Sequence, residues 1–190
     1  MRKLFSLLIA IWFAGNVYAQ PEFATDRGSI MLGGSIYFQS NGGDLYKTSE
    51  GDRTLSFNFS PDFMIFVVPS FAVGAEIQYS YNKFGDYSNN TFGVGPTLMY
   101  CIAGHRDQRI YPFISETAVF DIYSYKYTST ELEGDSKALT STTRLGVMFM
   151  LSKAVALNVN FSYISRTTID DDPISGNSLM FGIGVKSFIF

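Results

Sequence analysis

The 190-residue chain carries a formal net charge of −3, with one cysteine (Cys101) and one histidine (His105) beside 18 Phe and 12 Tyr. An acidic balance argues against a nucleic-acid partner, which needs a basic face. A lone cysteine excludes an intrachain disulfide.

Residues 1–19, MRKLFSLLIAIWFAGNVYA, open on Arg2 and Lys3, continue through an apolar run from Leu4 to Ala14, and reach Val17-Tyr18-Ala19, with small residues at alternate positions. The run is too short for a helical membrane span of about 20 residues. It is expected to be a secretory signal peptide that takes no part in the fold. Gln20, not a cysteine, follows the expected cut, which argues against a lipid anchor, and 20–190 is expected to form one domain.

From there the periodicity is two. GSIMLGGSIYFQS places Ile30, Leu32, Gly34, Ile36 and Phe38 on one face and Ser29, Met31, Gly33, Ser35, Tyr37 and Gln39 on the other. TLSFNFSPDFMIF, FAVGAEIQYSY and TFGVGPTLMYCI repeat the alternation. IYPFISETAVFDIY is weaker; Phe113, Ser115, Thr117 and Val119 are assigned to its apolar face, with Glu116 opposite. TSTTRLGVMFML, AVALNVNFSYIS and SLMFGIGVK are regular again, giving eight strands. Long polar stretches (NGGDLYKTSEGDR, NKFGDYSNN, SYKYTSTELEGDSK, RTTIDDDPISGN) alternate with short turns (VVPS, AGHRDQR, SK), as in an up-and-down meander with its four long loops at one end.

Alternation fits a soluble barrel with an apolar inside or a transmembrane barrel with an apolar outside. One face here is rich in Phe, Tyr, Val, Ile and Leu. The other combines Ser, Asn, Gln and Gly with few charges, where a water-exposed sheet would be thick with Lys and Glu. The fold class is therefore all-β, an eight-stranded antiparallel up-and-down transmembrane β-barrel. Tyr79, Tyr81, Tyr100, Tyr111 and Tyr163 lie near strand ends, where an aromatic girdle would sit. A barrel of eight strands has an interior just wide enough for side chains. The strand charges Asp62, Glu76, Glu116, Arg144 and Lys186 are thus expected to pair in a lumen network, three acids against two bases.

The chain finishes GIGVKSFIF, with Phe188 two before the terminal Phe190. In this ending and in its pattern of strands, the sequence resembles the bacterial eight-stranded outer-membrane barrels of the OmpX/OmpA-like kind. The resemblance implies location in the cell outer membrane, contact with outer-membrane lipid and lipopolysaccharide, and recognition of Phe188 and Phe190 by the barrel-assembly machinery. Because Phe188 and Phe190 differ in parity from Phe181, Ile183 and Val185, a bulge is expected near Lys186–Ser187. The run FNFSPDFMIFVVPSFAVGAEIQYSY is similar to a strand–Pro–strand–turn–strand arrangement in barrels of Bacteroidetes-like bacteria.

Chemistry is sparse. Barrel enzymes that act on lipid A need a Ser or polar triad with a histidine near the membrane interface. The only candidate base, His105, falls in a short turn expected on the periplasmic side. Asp170-Asp171-Asp172, followed by Pro173, reads as a solvated turn, and Gly93-Val94-Gly95 lacks the helix a phosphate loop requires. No cofactor or metal is expected. Tyr46, Lys47, Tyr87, Tyr123, Tyr125, Lys126 and Tyr127 give the long loops a polar-aromatic surface suited to binding, with no ligand legible. The reading is a non-enzymatic barrel for envelope integrity or surface interaction. A narrow solute channel, a lipid-modifying enzyme and a soluble periplasmic ligand-binding barrel are the alternatives.

Overall fold

A computed structural model describes residues 23–41, 54–102, 108–127, 132–169, 173 and 175–190. The expected signal peptide, His105, Asp170–Asp172, Tyr46 and Lys47 lie outside the described residues. Eight strands form one closed antiparallel barrel in chain order: β1 Ile30–Asn41, β2 Thr54–Val68, β3 Phe71–Phe84, β4 Tyr87–Cys101, β5 Ile110–Tyr127, β6 Leu132–Met150, β7 Val155–Thr168 and β8 Ser175–Ile189. β8 closes on β1 through pairs such as Met31↔Phe188 and Gly33↔Lys186. Closure leaves no unpaired sheet edge, which is what a sheet immersed in hydrocarbon requires.

The apolar face points outward. Leu32, Ile36, Phe63, Ile77, Phe92, Leu98, Leu145, Phe161, Phe181 and Val185 are all exposed large side chains. Along β4 and the residue that follows it this surface runs from Phe92 to Ile102. That stretch rises about 25 Å at ~3.3 Å per residue and a strand tilt of ~40°, the height of a transmembrane barrel's apolar band. Tyr79, Tyr100 and Tyr163 face outward at the ends of this belt; Tyr111 does not, being 2% exposed inside the barrel.

β5 faces the opposite way from the sequence expectation. Phe113, Ser115, Thr117 and Val119 are buried in the lumen, whereas Ile114, Glu116, Ala118 and Phe120 are exposed. The reason is space. A Cβ added to Gly146 would stand 2.5 Å from Phe113 Cζ, and one added to Gly93 would stand 2.5 Å from Val119 Cγ1. Glycines on β4 and β6 thus open niches for bulky inward residues of β5, so that strand carries apolar side chains on both faces and its alternation is blurred.

The hairpin end also differs. NKFGDYSNN is not a long loop: β3 and β4 are paired up to Phe84↔Tyr87, and Gly85 (φ 57°) with Asp86 makes the connection. A two-residue hairpin favours positive φ, which glycine adopts freely. β5 and β6, of 18 and 19 residues, pair up to Tyr127↔Leu132. Tyr87, Tyr123, Tyr125, Lys126 and Tyr127 are therefore strand residues. These segments are polar because they stand beyond the belt, and polarity alone made them resemble loops.

At the other end, residues 23–29 fold beneath the barrel. Gly28 N–H donates to Phe66 O at 2.8 Å, Phe66 N–H to Ser29 O at 2.9 Å, and Ser70 N–H to Thr25 O at 2.9 Å. Behind them Ala24, Met31, Met64, Phe66, Ala72, Met99, Cys101, Tyr111, Phe113, Met148, Ala156 and Phe188 make an apolar plug. The β8 register runs without interruption against both neighbours, so no bulge occurs at Lys186–Ser187. Phe188 keeps the inward parity of Lys186 and enters the plug, 3% exposed, while Ile189 faces out at 57%.

Candidate functional site

Beyond the plug the lumen is filled by three ion pairs. Arg144, on β6, reaches across to Glu76 on β3, donating from Nη2 to Oε1 at 2.6 Å and from Nη1 to Oε2 at 2.8 Å. The two parallel bonds make the fork geometry in which a guanidinium holds a carboxylate most strongly. Nη1 also donates to Thr117 Oγ1 at 2.9 Å, Thr117 and Thr97 share a 2.9 Å hydroxyl bond, and Gln78 Nε2 donates to Glu76 Oε1 at 2.8 Å. Glu76 is 3% exposed, so its charge depends on these partners.

Lys186 on β8 pairs with Asp62 on β2, the two side chains lying over Gly33 of β1 between them. Asp62 and Glu76 are directly opposed on β2 and β3. Two carboxylates so placed repel, and each is held by its own cation, Glu76 by Arg144 from across the lumen and Asp62 by Lys186 from the strand beyond β1.

The third pair was not anticipated from the sequence. Arg166 Nη2 donates to Asp121 Oδ2 at 3.0 Å and Nε to Thr140 Oγ1 at 3.0 Å; Thr140 Oγ1 donates to Asp121 Oδ2 at 2.5 Å. Arg166 lies in a segment whose polar sequence reads as a loop, and Asp121 on β5, the strand whose facing is opposite to the sequence expectation. A signal existed: Asp121 shares parity with Thr117 on β5, and Arg166 with Asn158, Asn160 and Ser162 on β7.

Glu116 is not with the others. It faces outward, accepting hydrogen bonds from Ser141 Oγ and Thr143 Oγ1, each at 2.6 Å. Its departure and the arrival of Asp121 and Arg166 leave Asp62, Glu76 and Asp121 matched with Lys186, Arg144 and Arg166.

The ion pairs leave little room. A void of about 30 Å³ lies among Asp62, Glu76, Arg144 and Lys186, and one of about 120 Å³ beyond Arg144 toward Arg166. At the hairpin end Tyr87, Tyr123, Tyr125 and Tyr127 cluster, with ring centroids 4.8 Å apart for Tyr87–Tyr127 and 6.1 Å for Tyr123–Tyr125. The Tyr87 and Tyr123 hydroxyls are hydrogen-bonded to each other, and Asn89 Nδ2 donates to both. Among the described residues no group of three or more His, Cys, Asp and Glu is disposed to hold a metal ion.

Neither a protein-family model nor a curated protein matches the sequence. Solved structures do match. Neisserial surface protein A aligns over 84% of this chain and 96% of its own, at 13% identity and a TM-score of 0.56. The outer membrane protein OprG of Pseudomonas aeruginosa aligns over 88% and 99%, at 12% identity and a TM-score of 0.56. Ail, the attachment invasion locus protein of Yersinia pestis, aligns over 86% and 99%, at 11% identity and a TM-score of 0.51. Closed eight-stranded topology, an outward apolar belt and these alignments over nearly the whole of each structure agree: the chain has the fold of the eight-stranded outer-membrane β-barrels.

Proposed function

We propose that the chain works as a non-enzymatic outer-membrane barrel with a closed lumen, supporting the envelope mechanically and presenting its hairpin end for surface interaction. The observation that carries this reading is the filled interior, an apolar plug at the end bearing residues 23–29 and Phe190 and charge-matched ion pairs beyond it. A channel needs a continuous wet path, and here Arg144, Glu76 and Thr117 bridge the lumen between two small voids. Surface interaction is supported by the sheet that β3–β6 extend beyond the belt and by its tyrosine cluster. Rings held against one another offer contact area at low entropic cost. Location in the outer membrane, contact with lipopolysaccharide and delivery by the barrel-assembly machinery through Phe188 and Phe190 belong to the same reading.

Single-channel recording of the refolded protein in a planar bilayer tests it. Verified insertion without discrete steps is expected. Reproducible steps would overturn the closed lumen and favour a narrow channel, with the three ion pairs as its selectivity determinants.

A further inference from the structure

A bowl of about 490 Å³ opens at the plug end of the barrel, opposite the hairpin end. Tyr111 of β5 and Met150 of β6 line it together with Phe23, Leu151 and Phe190. Tyr111 belongs to the plug and Met150 packs against it, so the bowl ends blind on the plug.

Its rim is cationic. Arg109 and Lys153 both line the bowl and are exposed, and Met150 N–H donates to Arg109 O at 2.8 Å, joining the two rim segments. Neither side chain pairs with a carboxylate among the described residues. No Asp or Glu is among the residues lining the bowl. Beside Lys153, Ser152 Oγ accepts from Ala154 N–H at 3.3 Å and retains its own proton for donation. A guanidinium, an ammonium and a hydroxyl proton thus border one cavity, and a phosphate, which only accepts, is their complement.

The apolar wall says what carries the phosphate. A bare anion would leave Phe23, Tyr111, Met150 and Phe190 uncovered. Leu151 lines the bowl and is also 69% exposed, and Ile110, 49% exposed, directly follows Arg109. Both continue the outward apolar belt to the rim, so an acyl chain lying on them brings its headgroup to Arg109 and Lys153.

We propose that the bowl binds one anionic phospholipid of the leaflet at the plug end, its phosphate held by Arg109, Lys153 and Ser152. The inference rests on the outer-membrane reading above, which makes this the periplasmic leaflet. A zwitterionic headgroup fits less well, because its ammonium would stand beside two cations with no carboxylate on the bowl's wall to receive it. Bound there, the lipid bridges Phe23, the turn between β6 and β7, and Phe190.

Native mass spectrometry of the barrel refolded in micelles carrying phosphatidylglycerol or phosphatidylcholine tests this. One phosphatidylglycerol per barrel is expected to survive removal of the detergent, and phosphatidylcholine is not. Arg109→Gln/Lys153→Gln should weaken retention about tenfold or more. Lys83→Gln/Lys137→Gln, at exposed lysines toward the hairpin end, should leave it unchanged. Heat-dependent gel mobility checks that every variant is folded. Equal retention of both lipids, retention that survives the rim substitutions, an equal loss from Lys83→Gln/Lys137→Gln, or displacement of the lipid by inorganic phosphate would each overturn the proposal. A folded barrel that fails to insert into vesicles would overturn the outer-membrane reading, and the proposal with it.

Discussion

Lys186 lies over Gly33, filling the space a side chain at that position would take. A Cβ built on Gly33 would stand 2.8 Å from Lys186 Nζ and 2.9 Å from Asp62 Oδ1. The absent side chain is thus part of the ion pair. Gly33→Ala is expected to push Lys186 away from Asp62 and destabilise the barrel by about 3 kcal/mol, comparable to breaking the pair directly. Because both changes strike one contact, Gly33→Ala and Lys186→Met should fall short of additivity by more than about 1 kcal/mol. Urea unfolding from lipid vesicles measures this, and full additivity would show that the glycine acts elsewhere.

Arg144 should be the most sensitive lumen residue. Arg144→Met leaves Glu76 buried without its cation and is expected to cost about 3–5 kcal/mol. Adding Glu76→Leu removes the stranded charge, so the double variant should unfold later than the single one. Equal midpoints for wild type and Arg144→Met would sink the account of a lumen held by charge matching.

Phe188 and Ile189 give a test of facing at adjacent positions. Phe188→Ala empties a place in the plug and should cost about 3–5 kcal/mol. Ile189→Ala removes atoms that face lipid and should cost markedly less. The reverse order would show that the parity of β8 is wrong at its end.

Much of this architecture was legible in the sequence because lipid imposes one requirement on every strand. Wherever the lumen side was polar or small, as at Ser35, Asn160 and Gly184, alternation gave both the strand and its facing. It failed where that contrast vanished. Phe113 and Val119 are apolar yet inward, admitted by glycines on neighbouring strands, and Glu116 is charged yet outward, satisfied by hydroxyls that become its neighbours only through the β6 register. Strand ends beyond the belt were hidden for a related reason. Tyr87, Tyr125 and Arg166 lie where water is present on both faces, and no hydrophobic period is demanded there. The Asp121–Arg166 pair fell into both gaps at once.

Cys101 offers a probe of the plug. It is 0% exposed at the end of β4, among residues that include Met99 and Phe113. A maleimide should leave it unmodified in the folded barrel and label it on unfolding, at the same urea concentration at which gel mobility changes. Labelling well before that concentration would show that the plug opens independently of the wall.

The plug and the ion pairs respond to solvent in opposite senses. Concentrated salt screens charges in contact with water, while excluded salts such as sulfate strengthen apolar association. A lumen shut by charge alone would loosen in brine, and one shut by oil alone would loosen in the cold. With one barrier of each kind in series, a barrel closed in this way is expected to stay shut when conditions weaken either one.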